Sequence, residues 1–180
     1  TALTWFLYYW TAEPSRCPVI KRTVPVIWEE FMKHTVYFLT NNYSSDSCIP
    51  KLDSYDYWEE MVSKLCETAT DFEIRCWSDE MPAIESGKKF GKQVENRETL
   101  ELVFQGRITP GFISELLVNC LTEAGHLKWF TLNLMKGDRM IFHSGHYGTE
   151  PYLSDISDAE IDKIKEWTKA FPEILRVDVF

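Results

Sequence analysis

Two histidines spaced three residues apart are the sharpest chemical feature of the sequence. His143 and His146 follow a segment that is predicted to be a strand. Imidazole nitrogens bind metal ions, and a carboxylate from Asp155 or Asp158 could complete such a site. The spacing suits a helix face, whereas this stretch is predicted to be a loop, and no third His or Cys is close in sequence. A small hydrolase or metal-dependent enzyme near His143 and His146 is therefore one hypothesis, and ordinary surface histidines are the simpler interpretation.

The motifs of other common enzyme classes are missing. Ser144 lacks the two flanking glycines of a G-x-S-x-G nucleophile elbow. Gly87 and Gly91 have three residues between them, whereas a phosphate-binding P-loop needs four, and Gln93 stands where a hydroxyl would hold Mg²⁺. Carboxylates are plentiful, but none has a spacing diagnostic of acid–base catalysis. The sequence therefore favours a protein without enzymatic activity, and it implies no cofactor.

Acidic residues interleaved with aromatic residues are the more informative pattern. No Lys or Arg occurs between Met140 and Asp162, and only Lys51 occurs over residues 43–60. Carboxylates attract a cationic partner, and aromatic rings supply buried contact area. The alternative is a solvated acidic surface that keeps the protein soluble. The residues predicted to bind a basic protein are Tyr147, Glu150, Tyr152, Asp155 and Asp158, followed by Asp56, Trp58, Glu59 and Glu60.

Charge and cysteine usage restrict the partners and the compartment. The formal net charge is −9, and phosphate backbones and anionic membranes attract basic surfaces, so binding of nucleic acid or of a membrane is disfavoured. No apolar run approaches the roughly 20 residues that cross a bilayer, and the first residues lack the basic start of a signal peptide. The five cysteines contain no C-x-x-C motif, which indicates reduced thiols in the cytoplasm.

The order of the predicted elements indicates the fold class. A chain of 180 residues is predicted to form a single domain over residues 1–180. A loop of about twenty residues is expected around Gly87 and Gly91. Strands and helices do not alternate regularly, which predicts an α+β fold with a single, mainly antiparallel sheet of about 5–7 strands and about four helices packed on it. The predicted elements are strands over 3–10 and 19–23, a helix over 25–39, a helix over 55–66 capped by Asp53 or Ser54, strands over 72–77 and 100–104, a helix over 110–124, a hairpin over 130–143, a helix over 158–171 and a strand over 175–179.

In general make-up, which is small, acidic and rich in aromatic residues, the chain resembles bacterial toxin-neutralising immunity proteins. The first functional hypothesis is therefore a cytoplasmic binding protein that covers the cationic cleft of a basic partner, for example a nuclease toxin. A third hypothesis is a structural subunit of a homo-oligomer, in which exposed aromatic rings pack against copies of the same chain. The identity of the partner and the oligomeric state stay open at this point.

Overall fold

An eight-stranded antiparallel sheet forms the centre of the fold. The computed structural model describes residues 33–44 and 49–180. Its strands are β1 (His34–Thr40), β2 (Tyr43–Ser44), β3 (Pro50–Lys51), β4 (Asp71–Cys76), β5 (Lys92–Val94), β6 (Leu102–Arg107), β7 (Thr131–Lys136), β8 (Arg139–Gly145), β9 (Glu150–Ile156) and β10 (Ile174–Val179). Strands β2 and β3 pair with each other, and the other eight form one sheet in the order β10-β1-β9-β8-β7-β4-β6-β5.

Within the part of the chain that the structure describes, four helices pack on one face of this sheet. They are α1 (Asp56–Cys66), α2 (Met81–Phe90), α3 (Pro110–Val118) and α4 (Asp158–Thr168). A single apolar core joins them to the sheet, and large aromatic side chains such as Trp58, Trp129 and Phe142 fill it. The predicted α+β class is confirmed, although the sheet has eight strands instead of about 5–7. Among the described residues, no helix combines the length and apolarity needed to cross a membrane.

Strand β1 replaces the described part of the helix predicted over 25–39, so that prediction is wrong there. Val36 and Phe38 are buried, whereas Tyr37 and Leu39 are exposed, so burial alternates with the period of a strand. The same residues also fit a helical spacing, but pairing with two neighbouring strands satisfies their backbone groups, and aromatic and β-branched residues favour a sheet. The rest of that helix and the two N-terminal strands lie outside the described residues.

Helix α2 and strand β5 occupy the region predicted as a long loop, which corrects that prediction. The buried residues of α2 are Ala83, Ile84, Ser86 and Gly87. Three of these side chains are small, so the helix carries a weak hydrophobic pattern that the sequence analysis missed. The Phe104 ring fills the space beside Gly87, so that a Cβ atom at this position would lie 2.5 Å from the ring.

Helix α3 starts where predicted but ends earlier. The Oγ1 atom of Thr109 accepts a hydrogen bond from the backbone N–H of Phe112 at 3.2 Å, which is the expected N-cap. The helix ends at Val118 and not at residue 124, because Leu121 forms an isolated bridge with Leu127. The apolar spacing continues past the helix end and therefore misled the prediction.

Most of the remaining local signals are confirmed. The Ser157 N–H donates to the Glu160 carboxylate at 2.9 Å, so the predicted capping box starts α4. The N-cap residue of α1 is Tyr55, and not Asp53 or Ser54 as predicted, although the Ser54 hydroxyl accepts from the Asp56 N–H at 3.0 Å. Gly137, with φ of +60°, turns the predicted hairpin between β7 and β8. Strand β9 was not predicted, because its acidic and aromatic residues were interpreted as a loop.

Replacing Gly87 with alanine is expected to lower the free energy of unfolding by about 1–3 kcal/mol. The new Cβ atom would overlap the Phe104 ring, which is fully buried and has no space to move into. Urea denaturation measures the change. Gly111→Ala is the matched control: its Cβ atom would lie 3.4 Å from Phe90, an ordinary contact, so no loss is expected. Equal losses in both variants would contradict the packing described for α2.

Candidate binding surface

The face of the sheet opposite the helices carries one continuous row of side chains. Each strand of the eight-stranded sheet contributes one residue, and every member is paired in register with the next. We call this set the cross-strand row. In order across the sheet its members are Asp178, Tyr37, Tyr152, His143, Asn133, Glu73, Gln105 and Lys92.

Hydrogen bonds organise the middle of the cross-strand row around Glu73. Its carboxylate accepts from Gln105 Nε2 at 2.8 Å, from Arg75 Nε at 2.7 Å and from Asn133 Nδ2 at 3.1 Å. Burial acts to raise the pKa of Glu73, but these hydrogen bonds and the Arg75 charge outweigh it, so the pKa lies below the ordinary value. Glu73 is therefore a stable acceptor that fixes the side chains on both sides of it.

This hydrogen-bond chain determines which nitrogen of His143 carries the proton. The Asn133 amide nitrogen donates to Glu73, so its Oδ1 atom is the acceptor for His143 Nδ1, 2.8 Å away. His143 Nδ1 therefore bears hydrogen, and Nε2 of the neutral ring is an acceptor that receives no hydrogen bond from residues 33–44 or 49–180. Burial lowers the pKa of His143 below the ordinary 6.5, against the opposing attraction of Glu150, so the neutral ring predominates at pH 7.

Stacked aromatic rings occupy the β10 side of the row. The Tyr152 ring lies 4.6 Å from the His143 ring and 4.8 Å from the Tyr37 ring. Phe180 contacts Tyr37 edge-on at 5.6 Å. Tyr37 is 44% exposed and Phe180 is 74% exposed, so this part of the sheet presents aromatic surface to solvent.

Three carboxylates of the first predicted set follow strand β9 from end to end. Glu150 begins the strand, Asp155 lies near its end, and Asp158 is the first residue of α4. Among the described residues each has one basic side chain at ion-pair distance: Glu150 has His146 at 2.8 Å, Asp155 has Arg139 at 2.6 Å and Asp158 has His34 at 2.9 Å. Tyr152 lies between Glu150 and Asp155 on the same strand, whereas Asp158 begins α4, so the four predicted residues follow one another along β9 and into the next helix.

The turn before β9 has an unusual backbone. His146, Tyr147 and Gly148 form a short 3-10 turn with consecutive positive φ angles of 43°, 57° and 82°. For residues other than glycine such angles cost of order 1–2 kcal/mol each. Buried hydrogen bonds hold the turn in place, because Tyr147 Oη donates to Glu80 at 2.5 Å and Tyr57 Oη donates to the Gly148 carbonyl. The turn thereby fixes the positions of His146 and Glu150.

Two of the aromatic residues predicted as partner anchors are part of the interior. Trp58 is 1% exposed and Tyr147 is 5% exposed. Trp58 stacks on Trp129 and donates its Nε1–H to the Leu116 carbonyl at 2.9 Å. Neither ring is available to a partner on the outer surface, which corrects their predicted role. Aromatic residues next to acids in the sequence do not indicate exposure when they fall on the buried face of a helix or turn.

The second predicted acidic set lies on the other side of the molecule. Asp56, Glu59 and Glu60 are exposed on α1, which packs against the helix-covered face of the sheet. Asp56 and Glu59 line a groove of about 580 Å³ beside the end of α3. The sheet separates this groove from Tyr152, so the two predicted sets do not form one surface.

The two histidines do not share one site in the described structure. His143 is held by Asn133 through Nδ1, whereas His146 Nδ1 pairs with Glu150. The two carboxylates considered as further ligands, Asp155 and Asp158, pair with other residues. Over residues 33–44 and 49–180, no group of three or more His, Cys, Asp or Glu side chains could hold a metal ion.

Tyr37 and Asp178 were not predicted as site residues. The fold pairs Tyr37 with Tyr152 on one side and with Asp178 on the other. Tyr37 was assigned to a helix, and Asp178 was interpreted as the polar side of a terminal strand. The available signals were the alternation of apolar and polar residues along β10 and the run of β-branched and aromatic residues along β1. The neighbouring position of these strands could not be inferred, because the order of strands in a sheet depends on contacts distant in sequence.

Comparisons of the chain with protein-family models, with curated proteins and with solved structures gave no match. Functional assignment therefore rests on the geometry of the cross-strand row and of strand β9.

Proposed function

We propose that this protein binds a basic protein partner through the face of its sheet that the four described helices do not cover, around β1 and β9. The observation that carries the proposal is the exposed ring of Tyr37, which contacts the half-buried Tyr152, next to carboxylates along β9 and at the start of α4: Glu150, Asp155 and Asp158. The acidic composition favours one form of this function, a toxin-neutralising role in which the protein covers a cationic cleft of its partner. We place the protein in the cytoplasm.

The internal ion pairs of the β9 carboxylates are compatible with this function. The Glu150–His146 pair is exposed, and exposed ion pairs contribute only about 0.2–1 kcal/mol, so a partner's Lys or Arg can replace His146 there. Asp155 and His34 are partly buried, with 25% and 19% of their side chains exposed. Aromatic rings at the centre of an interface supply most of its buried area, while surrounding charges speed the encounter. Tyr37 and Tyr152 lie between acidic residues, so the rings could form the centre of an interface and the acids its edge.

Buried thiols support the cytoplasmic placement. Burial raises the pKa of the Cys66 thiol to about 11 and that of Cys76 to about 12, the latter helped by the Glu80 and Glu101 charges. Such thiols are poor nucleophiles and act as small apolar side chains. Cys66, Cys76 and Cys120 form no disulfide with one another.

Neutralising the β9 carboxylates is expected to weaken binding of a nona-arginine peptide about tenfold at low salt. The variant is Glu150→Gln, Asp155→Asn and Asp158→Asn. Asparagine is chosen at Asp155 because its φ of +65° suits Asn better than other residues. Fluorescence anisotropy of a labelled peptide gives the affinity, and a shallower salt dependence should accompany the loss.

The matched control removes the same charge elsewhere, through Glu85→Gln, Glu98→Gln and Glu123→Gln. These glutamates are exposed and form no ion pair within residues 33–44 and 49–180. Because the net charge changes equally in both variants, the control should bind within about twofold of the unmodified protein. Equal weakening in both variants, or no measurable binding by the unmodified protein, would contradict the proposal.

A second candidate function is general-base catalysis by His143, and a specific observation favours it. The chain Arg75–Glu73–Asn133–His143 holds a neutral imidazole with a free Nε2 atom, the arrangement of an oriented base. A left-handed turn lies next to it. Hydrolysis of a panel of chromogenic esters that disappears in the His143→Gln variant would support this candidate, and an unchanged rate would exclude it.

A further inference from the structure

A small cavity lies on the uncovered face at the point where the aromatic and acidic residues meet. It has a volume of about 320 Å³ and opens between β1, β8 and β9. This size is at the lower end for ligand pockets, which run from about 300 to 1,000 Å³, and suits one side chain better than a whole cofactor. Its lining includes Tyr37, His143, Thr149, Glu150, Tyr152 and Asp178.

The polar groups of this cavity are mainly hydrogen-bond acceptors. Glu150 and Asp178 bring carboxylates, and His143 brings Nε2, which is an acceptor because Nδ1 is the protonated nitrogen. Asp178 already receives the Nε and Nη2 donors of Arg176 at 3.0 Å and 2.8 Å. Asp178, which is paired in register with Tyr37, therefore already binds a guanidinium of this chain.

The walls of the cavity suit a flat cation. The Tyr37 ring is 44% exposed and offers a π face, on which a guanidinium stacks more favourably than an ammonium does. Glu150 is 62% exposed through its side chain and pairs only with His146, so it can turn toward an incoming donor. A neutral acceptor at His143 adds a hydrogen bond without repelling positive charge.

We propose that this cavity binds the guanidinium of one arginine side chain of the basic partner, stacked on the exposed ring of Tyr37 and hydrogen-bonded to Glu150 and His143. This inference rests on the proposed function, and it names arginine as the type of partner residue that the surface recognises. We expect the cavity to prefer arginine to lysine, because a guanidinium stacks on aromatic rings and has several hydrogen-bond donors with fixed directions.

Blocked pentapeptides with a central arginine, lysine or citrulline test the assignment directly. Titration into ¹⁵N-labelled protein should shift the amide signals of Tyr37, His143, Glu150 and Tyr152 with the arginine peptide. The lysine peptide should bind at least threefold more weakly than the arginine peptide. The citrulline peptide, whose side chain is planar but uncharged, should bind at least tenfold more weakly. Equal binding of all three peptides, or shifts confined to other surfaces, would overturn the inference.

Tyr37→Leu is the matched variant, because Tyr37 is half-exposed and leucine keeps an apolar residue on the strand. This variant should bind the arginine peptide at least fivefold more weakly. Tyr43→Leu, which replaces another exposed tyrosine, should leave the affinity for this peptide unchanged. If nona-arginine binds at the β9 carboxylates and the single-arginine peptide does not shift the cavity signals, this inference fails and the proposed function stands. If nona-arginine also fails to bind, both fail.

The pH dependence provides a second readout. The groups that face His143 are Glu150 from β9, Glu73 and Arg75 from β4, and His146 from the turn. Because the pKa of His143 is below 6.5, the ring becomes charged only as the pH falls below that value, and arginine binding should then weaken between pH 6.5 and 5. The weakening should persist in His146→Gln. Affinity that is constant over this range would contradict a role for His143 Nε2.

Discussion

Replacing Trp58 with alanine is expected to lower the free energy of unfolding by about 3–5 kcal/mol, the largest single effect of any substitution considered. The side chain is almost fully buried, with its ring centre 6.3 Å from Trp129 and 6.0 Å from Phe142. Its removal also leaves the Leu116 carbonyl without the indole donor. Urea denaturation followed by circular dichroism measures the loss.

Trp77→Ala is the control for this prediction, because Trp77 is 37% exposed and contacts mainly Phe130. Its loss should be about 1 kcal/mol. The comparison also tests the placement of the two rings. If Trp58→Ala left stability unchanged and instead weakened binding of a basic peptide, Trp58 would be a surface anchor and the packing of α1 described above would be wrong.

Breaking the buried ion pair between Glu115 and Lys128 is expected to have the second largest effect. Lys128 Nζ lies 2.7 Å from Glu115 Oε1, and both side chains are at most 10% exposed. Lys128→Met leaves a buried carboxylate without a counter-charge, so the free energy of unfolding should fall by about 3 kcal/mol. The pair joins α3 to the segment before β7 and forms one wall of the groove beside α1.

The double variant Glu115→Met, Lys128→Met should be more stable than Lys128→Met alone. Two apolar side chains of similar volume avoid the unpaired charge, and such replacements of buried pairs are often neutral or stabilising. The two single variants and the double variant form a thermodynamic cycle that isolates the coupling. Losses that simply add would show that the charges do not interact in the folded protein.

Local signals in the sequence were sufficient for much of the fold. The Thr109 and Ser157 caps and the Gly137 turn act through neighbouring residues, so their positions could be predicted from the sequence. Helix α2 was missed because its buried side is made of small residues that pack around Phe104, a contact that only the folded chain reveals. Strand β1 was missed because its apolar residues fit two periods, and only the partners on either side decide between them.

The candidate surface was predicted in part, for a physical reason. Glu150, Tyr152, Asp155 and Asp158 are close in sequence and lie along one strand and the helix that follows it, so they stay together in the fold. Tyr37 joins them only through the pairing of β1 with β9, more than a hundred residues apart in the chain. Burial separated Trp58 and Tyr147 from the acids that neighbour them in sequence.

Carbodiimide cross-linking to a nona-lysine peptide, followed by mass spectrometry, tests the central claim most directly. This reagent joins a carboxylate to a lysine amine only when the two are in contact, so it identifies the acids that face a basic ligand. The account predicts that links concentrate on Glu150, Asp155 and Asp158 and decline with added salt. Links found mainly on Asp56 and Glu59 of α1, with none along β9, would place the binding surface on the opposite side of the sheet and contradict it.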